Sequence, residues 1–149
     1  MSHLVETPLL LRLANTRDAQ FKVAESAVER LRGRGEPLYI APQNLIEFRN
    51  GATRPAEING LGMTVAEAEA KAELYEAIFT LLPETPDIYP AWKALVKAAG
   101  VTGKQVHDAR LVAICHVYGV THILTFNVRH FARLALFGPG VVVVDPVSI

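Results

Sequence analysis

The sequence has very little cysteine, no long apolar run and no excess of charge of either sign. Its single cysteine, Cys115, cannot form a disulfide within the chain, which favours a reducing compartment. No apolar run approaches the ~20 residues of a membrane-spanning helix, and the N-terminus lacks the apolar core of a signal peptide. We therefore expect a cytoplasmic protein that does not enter a membrane.

The balance of charge excludes one broad way of binding nucleic acid. Fifteen basic residues match fifteen acidic ones among the 149. No basic arm can therefore coat nucleic acid without specificity, and any phosphate binding must come from a local cluster. Half of the residues are hydrophobic, enough for one sizeable core. Because neither a repeat nor a linker divides the chain, we expect a single domain over residues 1–149.

Several common catalytic and cofactor motifs are also missing. The chain has no P-loop, no GxGxxG fingerprint and no GxSxG nucleophile elbow. Its histidines and Cys115 do not show the CxxC or HExxH spacings of zinc sites. Cys115 itself lies in an apolar helical run, which favours a place in the core over a role as nucleophile.

Short apolar runs alternate with amphipathic stretches along the chain. Continuous apolar runs predict strands at 4–5, 38–41, 120–126 and 141–144. Apolar spacing of three and four residues predicts helices at 21–31, after Pro42, from Thr64 to Leu82, around Trp92 and at 106–118. Apolar strands separated by helices are typical of a sheet covered on both faces. The predicted fold is a three-layer α/β/α domain with a central, mainly parallel sheet.

Four polar residues occupy strand ends in this arrangement. Glu6 follows the first strand, and Glu47 lies on the helix after the second. Asp108 lies in the first turn of the helix that leads to the strand at 120–126, and Asn127 ends that strand. Because ligands bind beyond the carboxyl ends of parallel strands, we expect these residues to gather at one edge of the sheet. Taken singly, each also fits a purely structural role, so the hypothesis depends on their gathering.

Carboxylates at such density repel one another unless a cation compensates their charge. Hard oxygen ligands suit Mg²⁺ or Mn²⁺. With such an ion, the indicated chemistry is hydrolysis of a phosphate ester by an activated water. Lys104, Arg110 and Arg129 flank the same edge and are candidate contacts to the phosphates of a substrate.

Five segments of the chain resemble the PIN-domain family, particularly the VapC-type toxins of bacterial toxin–antitoxin pairs. The more specific ones contain Val-His-Asp-Ala-Arg-Leu at 106–111 and Leu-Thr-Phe-Asn at 124–127. The others are Leu-Val-Glu-Thr at 4–7 with the apolar run 9–13, Pro-Gln-Asn-Leu-Ile-Glu-Phe at 42–48, and Asn-Gly-Ala-Thr-Arg-Pro at 50–55. The likeness extends over most of the chain, from Leu4 to Pro146.

The resemblance implies an Mg²⁺- or Mn²⁺-dependent endoribonuclease that a small cognate antitoxin holds inactive, commonly as a homodimer. It implies acids at the positions of Glu6, Glu47 and Asp108, and an aspartate or asparagine at that of Asn127. On this hypothesis the three acids are catalytic and hold one or two ions, directly or through water. Asn127 is then a weaker ligand, and RNA is the substrate.

The chain departs from the family pattern at three positions. Glu6-Thr7-Pro8 stands where the family usually has Asp-Thr-Asn, and His130 stands where relatives with an asparagine at the fourth position often carry an acid. These departures support an alternative, a PIN-like domain that no longer cleaves and acts by binding RNA or a partner protein. A further alternative is an unrelated α/β enzyme with a carboxylate metal site, such as a phosphatase.

Overall fold

The computed structural model describes all residues from Met1 to Ile149. Five strands form one sheet: β1 (His3–Val5), β2 (Leu38–Ile40), β3 (Thr80–Leu81), β4 (His122–Leu124) and β5 (Val142–Val144). Their order across the sheet is β3-β2-β1-β4-β5. All four pairings between neighbouring strands are parallel, so all the carboxyl ends lie at one edge with β1 in the middle.

Seven α-helices connect these strands. They are α1 (Thr7–Leu13), α2 (Phe21–Gly33), α3 (Pro42–Thr53), α4 (Val65–Ile78), α5 (Ile88–Ala99), α6 (Gln105–Tyr118) and α7 (Val128–Ala132). Short 3₁₀ turns follow at Ala56–Ile58, Leu134–Leu136 and Pro146–Ser148. None of the helices combines the length and the apolar character that crossing a membrane requires.

The two faces of the sheet are covered by separate hydrophobic cores. Leu4 of β1 and Ile123 of β4 pack into one core, together with α5 and α6. Val5 and Leu124, the next residues in the same strands, pack into the other core with the first four helices. Successive side chains of a strand point to opposite faces of the sheet. Strands that are apolar throughout are therefore buried on both faces. The three-layer α/β/α prediction is confirmed.

The prediction of one helix from Thr64 to Leu82 is wrong at its end. The helix begins as expected, since the Thr64 hydroxyl accepts the backbone N–H of Glu67. It ends at Ile78, and the chain then forms β3, in which Thr80 and Leu81 lie opposite Tyr39 and Ile40 of β2. Apolar residues at 75, 78, 79 and 82 continue the helical spacing, but pairing with an existing strand edge satisfies the backbone better there.

Candidate functional site

Glu6 connects the central strand to the first helix. Its backbone N–H donates to the carbonyl of Leu124 at 3.0 Å, which ties it to β4 as well as to β1. Its side chain is buried, with 4% of the residue exposed. The Thr125 hydroxyl donates to Glu6 Oε2 at 2.9 Å. The carboxylate is therefore held in the middle of the carboxyl edge of the sheet.

The proline that departs from the family pattern does not disturb this connection. Pro8 lies in the first turn of α1. Backbone N–H groups there have no partner within the helix, so a proline costs no hydrogen bond and its fixed φ suits the start of a helix. The departure removes an amide side chain from the site and leaves the backbone geometry intact.

Glu47 reaches the same edge from α3 and is held by neutral donors. The Thr7 hydroxyl donates to Glu47 Oε1 at 2.8 Å, and the Gln43 amide donates to Oε2 at 3.4 Å. Asn44, which is fully buried, donates to the Thr7 oxygen at 3.3 Å and accepts the N–H of Ala41 at 2.8 Å. Glu47 is thus fixed by groups that leave its charge uncompensated.

Asp108 lies in the first turn of α6 and is half-buried. Its nearest potential cation is His130, whose Nδ1 lies 4.0 Å from Asp108 Oδ2. His130 is the residue that stands where an acid was expected from the family pattern. The structure therefore places a basic group beside the third carboxylate, at the position where the resemblance led us to expect a further acid.

The three carboxylates influence one another electrostatically. Burial raises the pKa of Glu6 to about 8; the hydrogen bond from Thr125 opposes this shift, and the charges of Asp108 and Glu47 reinforce it. Burial also raises the pKa of Asp108 to about 6, opposed by His130 and reinforced by Glu47. Neither arginine nor lysine pairs with any of the three. The edge therefore carries a deficit of positive charge.

The donors at this edge fit a hard divalent cation in chemistry and charge. No group of three His, Cys, Asp or Glu side chains in the chain comes together as a ready cage for a metal ion. Mg²⁺ usually keeps several waters and binds through one or two carboxylates together with substrate phosphates. Because the three acids do not form a ready cage, Glu6, Glu47 and Asp108 would hold such an ion with waters completing its coordination.

The other predicted site residues are placed less directly. The Asn127 backbone N–H donates to the Thr125 hydroxyl at 2.9 Å, and its side chain lines a shallow cavity with Arg129 and Asp145. Lys104, just before α6, and Arg129 are exposed. Arg110 is not free, because its Nη2 lies 2.6 Å from Glu84 Oε2 and its Nη1 donates to Gln43 Oε1 at 3.1 Å.

Three residues that hold the carboxylates were not singled out from the sequence. The signal for Gln43 was available, because it lies four residues before Glu47 and shares its helix face. Its amide also donates to the carbonyl of His107 at 2.8 Å, so it joins α3 to α6. Thr7 and Thr125 acquire their roles only through the packing of α1 on α3 and the pairing of β1 with β4.

The family model of the PIN domain matches residues 4–136. Because the match covers most of the chain, the protein belongs to the PIN domain family. This membership confirms the resemblance drawn from the sequence and removes the alternative of an unrelated α/β enzyme. A comparison with curated protein sequences gives no match.

Solved structures with the same fold include VapC and VapBC proteins. VapBC2 from Rickettsia felis, bound to a DNA fragment from its promoter, is similar with a TM-score of 0.71 and 13% identity, covering 97% of this chain and 98% of that one. A toxin–antitoxin complex from Klebsiella pneumoniae gives a TM-score of 0.66 and 21% identity, with 97% of both chains covered. VapC20 from Mycobacterium tuberculosis, a toxin that cleaves the sarcin–ricin loop, gives 0.63 and 21%, covering 87% and 93%. At these identities, the likeness shows the fold.

Proposed function

We propose that the protein is a divalent-metal-dependent endoribonuclease, the toxin of a toxin–antitoxin pair. The observation that carries this proposal is the gathering of Glu6, Glu47 and Asp108 at the carboxyl edge of the sheet without a compensating arginine or lysine. Three separate elements, β1, α3 and α6, supply the three acids. Such an arrangement costs folding free energy and is expected where a cation completes the site.

Glu6, Glu47 and Asp108 are the residues that would hold Mg²⁺ or Mn²⁺, directly or through water, with Asn127 at the margin. When bound, the ion supplies charge stabilisation at the scissile phosphate and lowers the pKa of a water. Thr125, Thr7 and Gln43 orient the carboxylate oxygens through the hydrogen bonds described above. Lys104 and Arg129 contact the phosphates of the RNA, and Arg110 does so after leaving Glu84.

The partner follows from the same comparison. The similar structures from Rickettsia felis and Klebsiella pneumoniae are toxin–antitoxin assemblies. A nuclease that cuts cellular RNA in the cytoplasm must be held inactive in its own cell. We infer that a small cognate antitoxin does so here, and that the toxin itself is a homodimer.

The decisive experiment is cleavage of a total RNA pool by the purified, antitoxin-free protein in Mn²⁺. We expect cleavage that EDTA abolishes and that Asp108→Asn abolishes without loss of the fold. Asp87→Asn is the control, because Asp87 is an exposed aspartate at the N-terminus of another helix, α5. Equal activity of the Asp108→Asn variant and the parent would contradict the proposal.

A second candidate, a PIN domain that binds without cleaving, is favoured by two observations. The pKa of Glu6 is raised to about 8, so its carboxyl is largely protonated at neutral pH without an ion. His130 lies beside Asp108 and competes with a cation for it. Calorimetric titration with Mn²⁺ separates the two candidates, because a domain that has lost its site shows no heat of binding that depends on Asp108.

A further inference from the structure

A separate polar cavity, here called the arginine pocket, lies between the ends of α1 and α3. Its volume is about 220 Å³, and its polar lining comes from Arg12, Asn15, Asp18, Arg54 and Asn59. None of these residues belongs to the carboxylate site. Pockets for whole organic ligands usually measure about 300–1,000 Å³. The arginine pocket therefore has room for one small group and not for a nucleoside.

Two helices connect this pocket with the carboxylate site. At one end of the α1–α3 contact, Thr7 donates to Glu47. In the middle, Gly51 allows close approach, since a Cβ there would lie 2.9 Å from the Leu11 methyl carbons. The arginine pocket lies at the other end. Arg54, the residue just after the end of α3, follows Glu47 by seven residues, which corresponds to about two turns or 10 Å of helix.

Arg54 presents a hydrogen-bond donor without an acceptor. Its Nη2 donates to the carbonyl of Asn59 at 3.1 Å. Its Nε is buried and has no partner in the protein. Leaving a buried donor unpaired costs about 1–3 kcal/mol, and more for a charged group. Pairing with an acceptor in the pocket would remove this penalty, and it requires the guanidinium to turn, because Nε is not exposed to water in this arrangement.

Arg12 supplies the second guanidinium. Its Nε donates to Gln20 Oε1 at 3.0 Å and lies 3.5 Å from Asp18 Oδ2. Its two Nη atoms have no hydrogen-bond partner in the protein. Asp18 is occupied as well, because its Oδ1 accepts the N–H of Gln20 at 2.8 Å. Two arginines against one engaged aspartate leave the lining with an excess of positive charge.

The loop that closes the pocket is rigidly built. Asn59 has a positive φ of 66°. A Cβ at Gly60 would lie only 1.8 Å from the carbonyl oxygen of Arg54, so this position requires glycine. The same carbonyl accepts the N–H of Gly62 at 2.9 Å. The pocket is thus formed before any ligand arrives, which lowers the entropic cost of binding.

We propose that the arginine pocket binds a single phosphate group. This phosphate is a phosphodiester of the RNA strand, separated from the cleaved bond by about two turns of α3. Guanidinium groups match the geometry of phosphate oxygens, and the volume and charge of the pocket fit one such group. The choice of RNA as the source rests on the proposed ribonuclease function. The binding of phosphate itself does not.

Two binding measurements in EDTA, where no cleavage takes place, test the proposal. Inorganic phosphate is titrated while the Arg54 Nε–H resonance is followed by ¹H–¹⁵N NMR. A short labelled oligoribonucleotide is then titrated by fluorescence anisotropy. Arg12→Gln is the main variant, because Arg54 also holds the loop, and Asn15→Ala is the second. Arg49→Gln is the matched control, since Arg49 lies on α3 but pairs with Glu69 outside the pocket.

We expect phosphate to shift the Arg54 resonance in the parent and in Arg49→Gln, and to do so weakly or not at all in Arg12→Gln. Arg12→Gln should weaken RNA binding about fivefold and reduce the slope of log K against log salt by about 0.7, the value for one contact to a single strand. Arg49→Gln should change the RNA affinity less than the other variants do.

A phosphate-induced shift that persists unchanged in both Arg12→Gln and Asn15→Ala overturns the pocket. If Arg12→Gln removes the phosphate-induced shift but leaves the RNA affinity unchanged, the RNA strand is not the source of the bound phosphate. The ligand is then free phosphate or a mononucleotide. If the parent binds phosphate through Arg12 but never cleaves RNA in Mn²⁺, the phosphate site is supported and the proposed ribonuclease function is contradicted.

Discussion

At the amino end of β1, His3 is almost fully buried, its ring centroid lies 4.8 Å from that of His122, and its Nδ1 lies 3.4 Å from Glu36 Oε2. At the carboxyl end, three residues later, Glu6 is almost as buried but faces the charges of Asp108 and Glu47. Burial lowers the pKa of His3 to about 4, so the ring is neutral at physiological pH. Both groups lose their charge on folding at neutral pH, but Glu6 does so beside two further carboxylates, whose charges raise its pKa further.

The difference shows which end of the strand serves the fold and which serves the site. At the amino end, a neutral histidine lies against the tilted ring of a second one and beside a single carboxylate, with which His3 Nδ1 makes no hydrogen bond. At the carboxyl end, replacing Glu6 or Asp108 by a neutral residue should raise the stability at high pH, because folding raises the pKa of both carboxyl groups. Natural proteins keep such costs where a function requires them. Four predictions test this contrast.

The largest expected effect is on catalysis at the carboxyl end. Loss of groups that only orient metal ligands typically costs about 10–100-fold in metal affinity or activity. Glu6→Gln removes a carboxylate itself and should lower RNA cleavage in Mn²⁺ by more than about 100-fold. Initial rates of oligoribonucleotide cleavage measure this. Retention of parent activity would show that Glu6 does not serve the site.

The same Glu6→Gln variant should be more stable than the parent in EDTA. Unfolded Glu6 ionises near its ordinary pKa of 4.5, whereas folded Glu6 keeps its proton up to about 8. Its contribution to stability is therefore complete below pH 4.5 and is lost as the pH rises to about 8. At pH 8 the variant should gain about 2–4 kcal/mol over the parent, and near pH 4.5 nothing.

Urea unfolding of the parent and Glu6→Gln at several pH values provides the measurement. Saturating Mn²⁺ should stabilise the parent, because the ion binds the folded state. The difference in the free energy of unfolding between Glu6→Gln and the parent should therefore become smaller. Parallel stability curves for the two proteins between pH 4.5 and 8 would mean that Glu6 is not buried as an acid.

The amino end should show the opposite dependence on pH. Unfolded His3 takes up a proton near its ordinary pKa of 6.5, and folded His3 does so only near 4. Stability is therefore complete above pH 6.5 and falls by about 2–3 kcal/mol between pH 6.5 and 4. In His3→Gln this part of the fall should be absent. Denaturant midpoints across that range measure it, and identical slopes in both proteins would contradict the assignment.

The smallest expected effect is seen in a comparison of two threonines, one on each side of β4. Thr125→Val removes the hydroxyl that binds Glu6 and should lower RNA cleavage about tenfold. Thr121→Val removes a hydroxyl that bonds Ser2 at the amino end and should leave the cleavage rate nearly unchanged. Steady-state cleavage of both variants, with circular dichroism of each, makes the comparison. Equal losses would indicate a general effect on β4.

Much of the carboxylate site could be predicted from the sequence, because strand ends in a parallel sheet specify positions. Glu6 follows the apolar pair Leu4-Val5, and Asp108 opens a helix with a clear glycine end at Gly119. The burial of Glu6 could not be predicted, because it depends on two helical layers that close over the sheet. The strand β3 was missed for a similar reason, since it is defined by β2, 41 positions earlier in the chain.

The partners of charged side chains were equally hidden. Arg110 was expected to face phosphates, but it binds Glu84 in a loop 26 positions earlier. Local spacing carries no information about such a pair. It also gives no indication that Arg12, in α1, and Arg54, just after α3, line one cavity.

The pairing of β1 with β4 has a consequence for the time at which the site appears during translation. Glu6 and Glu47 leave the ribosome early, but Thr125 is synthesised 78 residues after Glu47. At a rate of about 5–20 residues per second, that interval lasts about 4–16 seconds. Until β4 emerges and pairs with β1, the edge that gathers the carboxylates does not exist. A nascent chain of the proposed toxin therefore lacks the complete carboxylate site until β4 has been made and has paired with β1.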